Sequence, residues 1–354
     1  MSTVNKDSPA ADAMNFRFRE RRWIRQMRFH CKKCKFPAKL KSETNLCDAI
    51  CPKCKHPLDL SEDERMFGAY ELIQALGSGG FGTVFKVRES CDRSLYTLKL
   101  IRKSRVANTE KVHLLRQVHS SRRLQHSNVV ASHDFGEQGE YWYLISDYVD
   151  GLPLDRWAQK VRPDPMRSLE LCAQIADVLE YIHQQRFVHR DLKPGNIIVD
   201  RNGEPHIIDF GLCKSEEESD LMAIERYRAA HRAIRSRKTI ADNSMLGTLG
   251  YAAPEQLKGS ALSANPQSDI YALGVILYEL ITGKRPATGL GRLLNGSAMS
   301  AMLRRSKMPQ NTAKQLRSLC LQAFSPKDTK RHLNAGVFSN ECRSLLGATQ
   351  RSDA

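Results

Sequence analysis

The stretch His189-Arg190-Asp191-Leu192-Lys193-Pro194-Gly195-Asn196, leading directly into the apolar run Ile197-Ile198-Val199, constrains this chain more than any other. It is followed by Ile208-Asp209-Phe210-Gly211 and then by Gly247-Thr248-Leu249-Gly250-Tyr251-Ala252-Ala253-Pro254-Glu255. Well ahead of it, Leu76-Gly77-Ser78-Gly79-Gly80-Phe81-Gly82-Thr83-Val84 carries a G-x-G-x-x-G pattern with β-like sequence on both sides. Glycines let backbone amides approach phosphate oxygens closely, and a dinucleotide-binding fold uses the same spacing when a helix follows. A strand follows here, which favours a glycine-rich flap over nucleotide phosphates. Seventeen residues beyond Gly82, Lys99 lies inside the apolar strand Tyr96-Thr97-Leu98-Lys99. A lysine so placed needs an anionic partner, and a bound phosphate supplies one.

Around these blocks, β-like runs come first, at Tyr70 to Leu76, Thr83 to Arg88, Leu95 to Ile101 and Tyr141 to Tyr148. Apolar residues at three- and four-residue intervals then predict helices over Met166 to Gln184, Ser268 to Thr282 and Lys314 to Phe324. Strands followed by helices predict an α+β body with two lobes rather than a repeating βαβ sheet.

The four blocks stand in the order of the protein-kinase signatures, and the whole of Gly68 to about Leu346 resembles the protein-kinase catalytic domain. Lys193, two residues after Asp191, is the Ser/Thr form, and the wording of Asn196 to Val199 and of Asp269 to Gly274 is similar to bacterial members of the family. The resemblance implies a two-lobed fold, with a β-rich N-lobe and a helical C-lobe, that transfers the γ-phosphate of ATP to Ser or Thr hydroxyls of protein substrates. By the same resemblance, Asp191 orients the acceptor hydroxyl, Lys193 neutralises the transferring phosphoryl group, Asn196 and Asp209 hold Mg²⁺, and Lys99 grips the α- and β-phosphates. Gly77, Ser78, Gly79, Gly80, Phe81, Gly82 and Val84 would cover the nucleotide. Asp147, Tyr148 and Val149 would form the hinge that meets adenine, with the small Ser146 behind them as gatekeeper. Thr248 is assigned to the substrate platform, and Glu255 with Arg331 to a buried ion pair bracing the activation segment.

Three features depart from the family. Counting back from His126 to the position of the usual glutamate lands on Gln117, and no Glu lies nearer than Glu110. A neutral glutamine holds the strand lysine less firmly than a carboxylate, which supports the alternative of a pseudokinase scaffold that binds nucleotide with little catalysis. Thr97 also replaces the usual Ala over the adenine. The segment from Asp209 to Glu255 is long, at 47 residues, with an added helical-looking stretch from about Ser215 to Ser236 that is acidic first and basic after. Arg190 offers a cation to a phosphate on that segment, for which Thr239 and Ser244 are the candidate sites.

Ahead of the catalytic region, Cys31-Lys32-Lys33-Cys34 and Cys51-Pro52-Lys53-Cys54 are two C-x-x-C pairs separated by sixteen residues, a spacing suited to a tetrahedral Zn²⁺ site. A segment of thirty residues buries too little to fold by itself, so metal accounts for its folding. It resembles a zinc ribbon, with four saturated ligands and a docking role rather than a catalytic one. The expected organisation is a basic N-terminal arm (1–29), a zinc-ribbon-like module (30–60), an acidic linker (61–67), the kinase domain (68–346) and a tail (347–354). A net charge of +16 favours phosphorylated ligands, acidic proteins, nucleic acid or anionic lipid surfaces as partners, and a docking partner or nucleic acid is expected at the ribbon. No membrane span or secretory leader is visible, so the ten cysteines are expected in a reducing cytoplasm.

Overall fold

The structure, a computed structural model, describes residues 28–30, 33–35, 37–39, 50–56, 65–79, 82–103, 123–209, 214–215, 250–257, 265–287, 295–306 and 308–352. The chain falls into two compact units, one of Met1–Val118 with Ala131–Tyr148 and the other of His119–Val130 with Val149–Ala354.

The first unit holds a short hairpin, β1 (Arg28–His30) with β2 (Pro37–Lys39), and a six-stranded antiparallel sheet. The sheet is built from β3 (Met66–Phe67), β4 (Tyr70–Gly79), β5 (Gly82–Glu89), β6 (Leu95–Arg102), β7 (Ser132–Gln138) and β8 (Tyr141–Asp147), in the order β3-β4-β5-β6-β8-β7. Side chains alternate across a strand, so Leu98 and Leu100 on β6 face one side with their register partners Ile145 and Tyr143. They join Phe67, Leu72, Phe85 and Val87 in one buried cluster. Lys99 and Ile101 take the other side, where Ile101 packs with Leu144, Phe135 and Trp142.

The second unit is mainly helical. It contains β9 (Gly151–Pro153), α1 (Leu154–Val161), α2 (Pro165–Gln184), β10 (Phe187–Val188), a 3₁₀ turn at Pro194–Asn196, β11 (Ile197–Asp200), β12 (Pro205–Ile207) and β13 (Lys214–Ser215). After these come α3 (Pro254–Leu257), α4 (Pro266–Thr282), α5 (Asn295–Arg305), α6 (Gln310–Ala323), a 3₁₀ turn at Asp328–Lys330 and α7 (Ala335–Ser352). The helix starts are chemically specified. Asp164 caps α2 by accepting the amides of Met166 and Arg167, both at 2.8 Å, with Pro165 at the first helical position. Asn265 and Ser268 form a reciprocal capping box ahead of α4, and left-handed Gly283 closes that helix by donating its amide to Glu279 O. Helix α4 is buried along nearly its whole length and meets α2 and α6 in the core. A Cβ on Gly274 would lie 2.6 Å from Ala323 Cβ, so this glycine sets how closely α4 and α6 approach.

Strands β4, β5, β6 and β8 and helices α2, α4 and α6 fall where the sequence predicts them. Strand β7 and helices α5 and α7 carry weaker patterns and were not predicted. Helix α7 runs on to Ser352, through the region read as a tail. Among the described residues no helix is long and apolar enough to cross a membrane.

Candidate active site

The turn between β4 and β5 pairs Gly79 with Gly82 across an antiparallel hairpin. Gly82 has φ +138°, and a Cβ there would fall 2.1 Å from the carbonyl oxygen of Leu100, so only glycine fits. Gly77 differs, because a Cβ on it would meet nothing within 4 Å. The fold leaves that space open beside the backbone, as a close-approaching ligand requires. Lys99 is half-buried on β6, in register with Val84 on β5 and Leu144 on β8. Ser146 on β8 shares a hydroxyl–hydroxyl contact of 3.0 Å with Ser132 on β7. Asp147 donates its amide to Ala131 O and accepts from Thr97 Oγ1 at 3.4 Å, while Tyr148 lies under the Lys86 ammonium at 4.0 Å. Val149 is half-buried.

In the helical unit, Asp191, Lys193 and Asn196 converge. Lys193 Nζ lies 2.7 Å from Asp191 Oδ2, and Asn196 Nδ2 donates to the same oxygen at 3.1 Å and to Asp191 O at 2.9 Å. Both side-chain contacts fall on Oδ2, so Oδ1 keeps its lone pairs for an incoming hydroxyl. The Asn196 amide nitrogen is likewise committed, leaving Oδ1 of Asn196 as an acceptor. Ile208 donates its amide to Asn196 O at 3.0 Å, which ties the strand end before Asp209 to the loop. Asp209 and Arg190 both adopt left-handed backbone, with φ +65° and +67°. Non-glycine residues there cost of order 1–3 kcal/mol each, which the surrounding contacts must offset.

At Arg190 those contacts come from a residue to which sequence reasoning gave no role in the site. Asp269, buried at the start of α4, accepts the amide of His189 on Oδ2 and that of Arg190 on Oδ1, both at 2.8 Å, and His183 Nε2 lies 2.9 Å from Oδ2. Burial pushes the Asp269 carboxyl up, but its bond to His183 and the nearby imidazoles and amides outweigh that and hold it below its ordinary 3.8. His189 Nε2 faces Ile208 O at 3.2 Å while Nδ1 faces the Asp191 amide at 3.3 Å, so the Nε2–H tautomer satisfies both. Gln256 on α3 also reaches the loop, donating to Arg190 O and accepting from the Ala253 amide, each at 2.9 Å. An acid at the head of an otherwise apolar helix was the available sequence signal for Asp269.

Glu255 and Arg331 form the expected pair. It is bidentate, at 2.6 and 2.8 Å, with the Arg331 side chain fully buried. Two further guanidinium hydrogens go to Gln267 O and Ser325 O, the ring of Tyr271 lies 5.0 Å away, and Ser268 Oγ donates to Glu255 at 2.8 Å. Burial raises the Glu255 carboxyl, yet Arg331 and Ser268 hold it below its ordinary 4.5.

In the first unit the thiols of Cys34, Cys51 and Cys54 lie within 4.8 Å of one another, with Cys34 and Cys51 sulfurs 3.6 Å apart. Lys35 and Lys55, each directly after the second cysteine of a pair, adopt the same left-handed backbone, φ +57° and +59°. The residue after each pair thus takes the same backbone conformation. Burial raises the Cys51 thiol, but the amides of Cys54 and Lys53 and the thiols of Cys34 and Cys54 outweigh it and lower it. Cys31, Gly80, Phe81, Gln117, Thr239, Ser244 and Thr248 lie outside the described residues, as does most of the stretch 215–236.

Residues 70–352 match the protein kinase domain family. The chain is 31% identical over 228 residues to the serine/threonine-protein kinase PrkC of Bacillus subtilis, covering 64% of this chain and 32% of that protein. It is 30% identical over 233 residues to the serine/threonine-protein kinase PknA of Mycobacterium tuberculosis, covering 64% of this chain and 49% of the relative. The match thus spans a third to a half of these relatives' lengths. With the family match running through both the sheet unit and the helical unit, the chain belongs to the protein kinase family.

Proposed function

We propose that this protein is a serine/threonine kinase that moves the γ-phosphoryl group of ATP onto Ser or Thr hydroxyls of other proteins. The observation that carries the reading is the convergence of Lys193 and Asn196 on one oxygen of Asp191. In this reading the free Oδ1 of Asp191 accepts the hydroxyl proton, and Lys193 turns to the transferring phosphoryl group once nucleotide is present. Lys99 and the turn from Gly77 to Val84 hold the phosphates, and Asp147 and Val149 meet adenine. Asn196 Oδ1 and the Asp209 carboxylate are hard oxygen donors on adjoining segments, a set that fits Mg²⁺. When bound, the ion neutralises charge on the phosphate oxygens. The names of the relatives support serine and threonine as acceptors.

The proposal extends to the N-terminal module. Three clustered thiols, the lowered Cys51 thiol and the matching left-handed residues Lys35 and Lys55 support a structural Zn²⁺ held by Cys34, Cys51, Cys54 and Cys31. Thiolates bind zinc only when deprotonated, and four of them close the coordination shell. A module at 30–60 and a catalytic domain from 68 follow as boundaries, with the role of the ribbon being to dock a protein or nucleic acid. C-x-x-C pairs used for metal also suit a reducing cytoplasm.

Incubation with γ-labelled ATP, Mg²⁺ and a generic basic protein tests the acceptor chemistry. Label recovered as phosphoserine and phosphothreonine is expected. Label recovered solely as phosphotyrosine would overturn the assignment.

A further inference from the structure

Between Glu279 and Glu341 the sequence holds eleven Lys and Arg residues and a single acid, Asp328. This region comprises α5, α6 and the turns around them, in the unit that carries Asp191 and Lys193. Lys284, Arg304, Arg305, Lys314, Lys327 and Lys330 are all exposed, and none of the six makes an ion pair among the described residues. The lone acid does not balance them, since Asp328 accepts the Thr329 amide at 2.8 Å and lies 3.5 Å from Asn265 Nδ2. A helix C-terminus gives Arg304 and Arg305 a local reason for being cationic. Lys314, within α6, and Lys327 and Lys330, beyond it, have no such reason.

The inner faces of these helices are spent on the core. Met299 and Leu303 of α5 and Leu316, Leu319 and Cys320 of α6 are buried, so no apolar stripe remains for insertion into a lipid surface. The region has two aromatic rings of the Phe, Tyr or Trp type, Phe324 and Phe338, and both are buried, so it offers bases nothing on which to stack. Among the described residues, Leu333 is the one large apolar side chain the region exposes, and the exposed charge is positive. It also adjoins the expected substrate platform, because the Arg285 guanidinium, next to Lys284, lies 5.7 Å from the ring of Tyr251. Gln256, five residues on, bonds to the catalytic loop at Arg190 O.

We propose that the outer surface of α5, α6 and the Lys327–Lys330 turn docks an acidic segment of the protein substrate, separate in sequence from the hydroxyl that is phosphorylated. This rests on the kinase reading for what the docking achieves, whereas the binding itself does not depend on catalysis. Carboxylates on the substrate meet fixed cations, which raises the encounter rate and lowers KM without touching the reacting atoms.

The test uses the full chain and the triple variant Lys314→Glu/Lys327→Glu/Lys330→Glu, with Lys→Gln at the same positions as a second variant, both checked by thermal melting. Fluorescence anisotropy with a labelled Glu-rich peptide at low ionic strength is expected to show affinity falling about tenfold or more in the Glu variant, less in the Gln variant, and falling with salt in the wild type. The ratio of kcat/KM for an acceptor peptide with a Glu-rich tail to that for the same peptide without it is expected to exceed one in the wild type and collapse in the Glu variant. Equal peptide affinity in wild type and variants would overturn the proposal. So would tighter binding of a labelled DNA duplex, or of phosphatidylserine vesicles, through the same three lysines. Peptide binding that depends on the lysines, with no transfer to either peptide, would leave the docking surface standing and remove the kinase reading.

Discussion

The Asp269 carboxylate and the Arg190 amide, 79 positions apart in sequence, meet at 2.8 Å and fix the backbone immediately ahead of Asp191. The other carboxylate oxygen takes the His189 amide, so one buried acid holds the loop in a left-handed conformation that Arg190 would otherwise avoid. Replacing Asp269 by Asn keeps the shape but removes the charge and forces one amide hydrogen toward a backbone donor. We expect Asp269→Asn to lose about 2–4 kcal/mol of stability and to lower kcat with little change in the KM for ATP. Chemical denaturation and steady-state kinetics check this, and an unchanged kcat would show that the loop holds itself.

Glu255→Ala leaves the Arg331 guanidinium buried without its counter-ion. A loss of about 3–5 kcal/mol is expected in urea unfolding. The double change Glu255→Leu with Arg331→Met should recover much of that loss, because apolar residues carry no desolvation cost.

Acid should destabilise the protein through the same two carboxylates. Both Asp269 and Glu255 titrate lower in the fold than their ordinary 3.8 and 4.5. Their contribution is therefore fully present above those ordinary values and is lost as pH falls through the folded ones. The share of the unfolding free energy that these two carboxylates contribute is expected to be flat from neutrality to about pH 5 and to drop below about pH 4. In Glu255→Gln the drop should be shallower.

Two glycines of the β4–β5 turn should separate stability from ligand binding. Gly82→Ala drives a Cβ into Leu100 O and is expected to destabilise the sheet. Gly77→Ala meets open space, so its melting temperature should stay close to wild type while ATP affinity falls. Differential scanning fluorimetry with and without ATP distinguishes the two.

Zinc content is expected to be one ion per chain, falling on Cys51→Ser. Removing the ion with a chelator should destabilise the first unit, since Cys51 lies in the same buried cluster as Phe67 and Leu72. Metal analysis and melting curves before and after chelation check both.

The parts legible in sequence were those in which local chemistry and local pattern coincide. Alternating apolar residues gave β5, β6 and β8, and Asp164-Pro165 and Asn265-Pro266 mark the starts of α2 and α4. Strand β7 was not legible because, at the sheet edge, it buries Ser132 and half-buries Phe135, with little alternation to detect. Helix α7 was missed because glycine and serine dilute the period that Phe338, Cys342 and Leu345 carry. The site divides similarly. Asp191, Lys193 and Asn196 lie within one short motif, whereas the support from Asp269, His183 and Gln256 arises only when segments far apart in sequence are packed together. The pairing of Glu255 with Arg331 was legible through the family resemblance alone, since nothing local links positions 76 apart.

The most direct measurement of the central claim is phosphoryl transfer from γ-labelled ATP to a protein acceptor, comparing the wild type with Asp191→Ala at matched ATP occupancy. The account predicts label on the acceptor with the wild type and a loss of about a thousandfold or more with Asp191→Ala, while nucleotide still binds both. Equal label from the two proteins, or ATP binding with no transfer by the wild type, would contradict it.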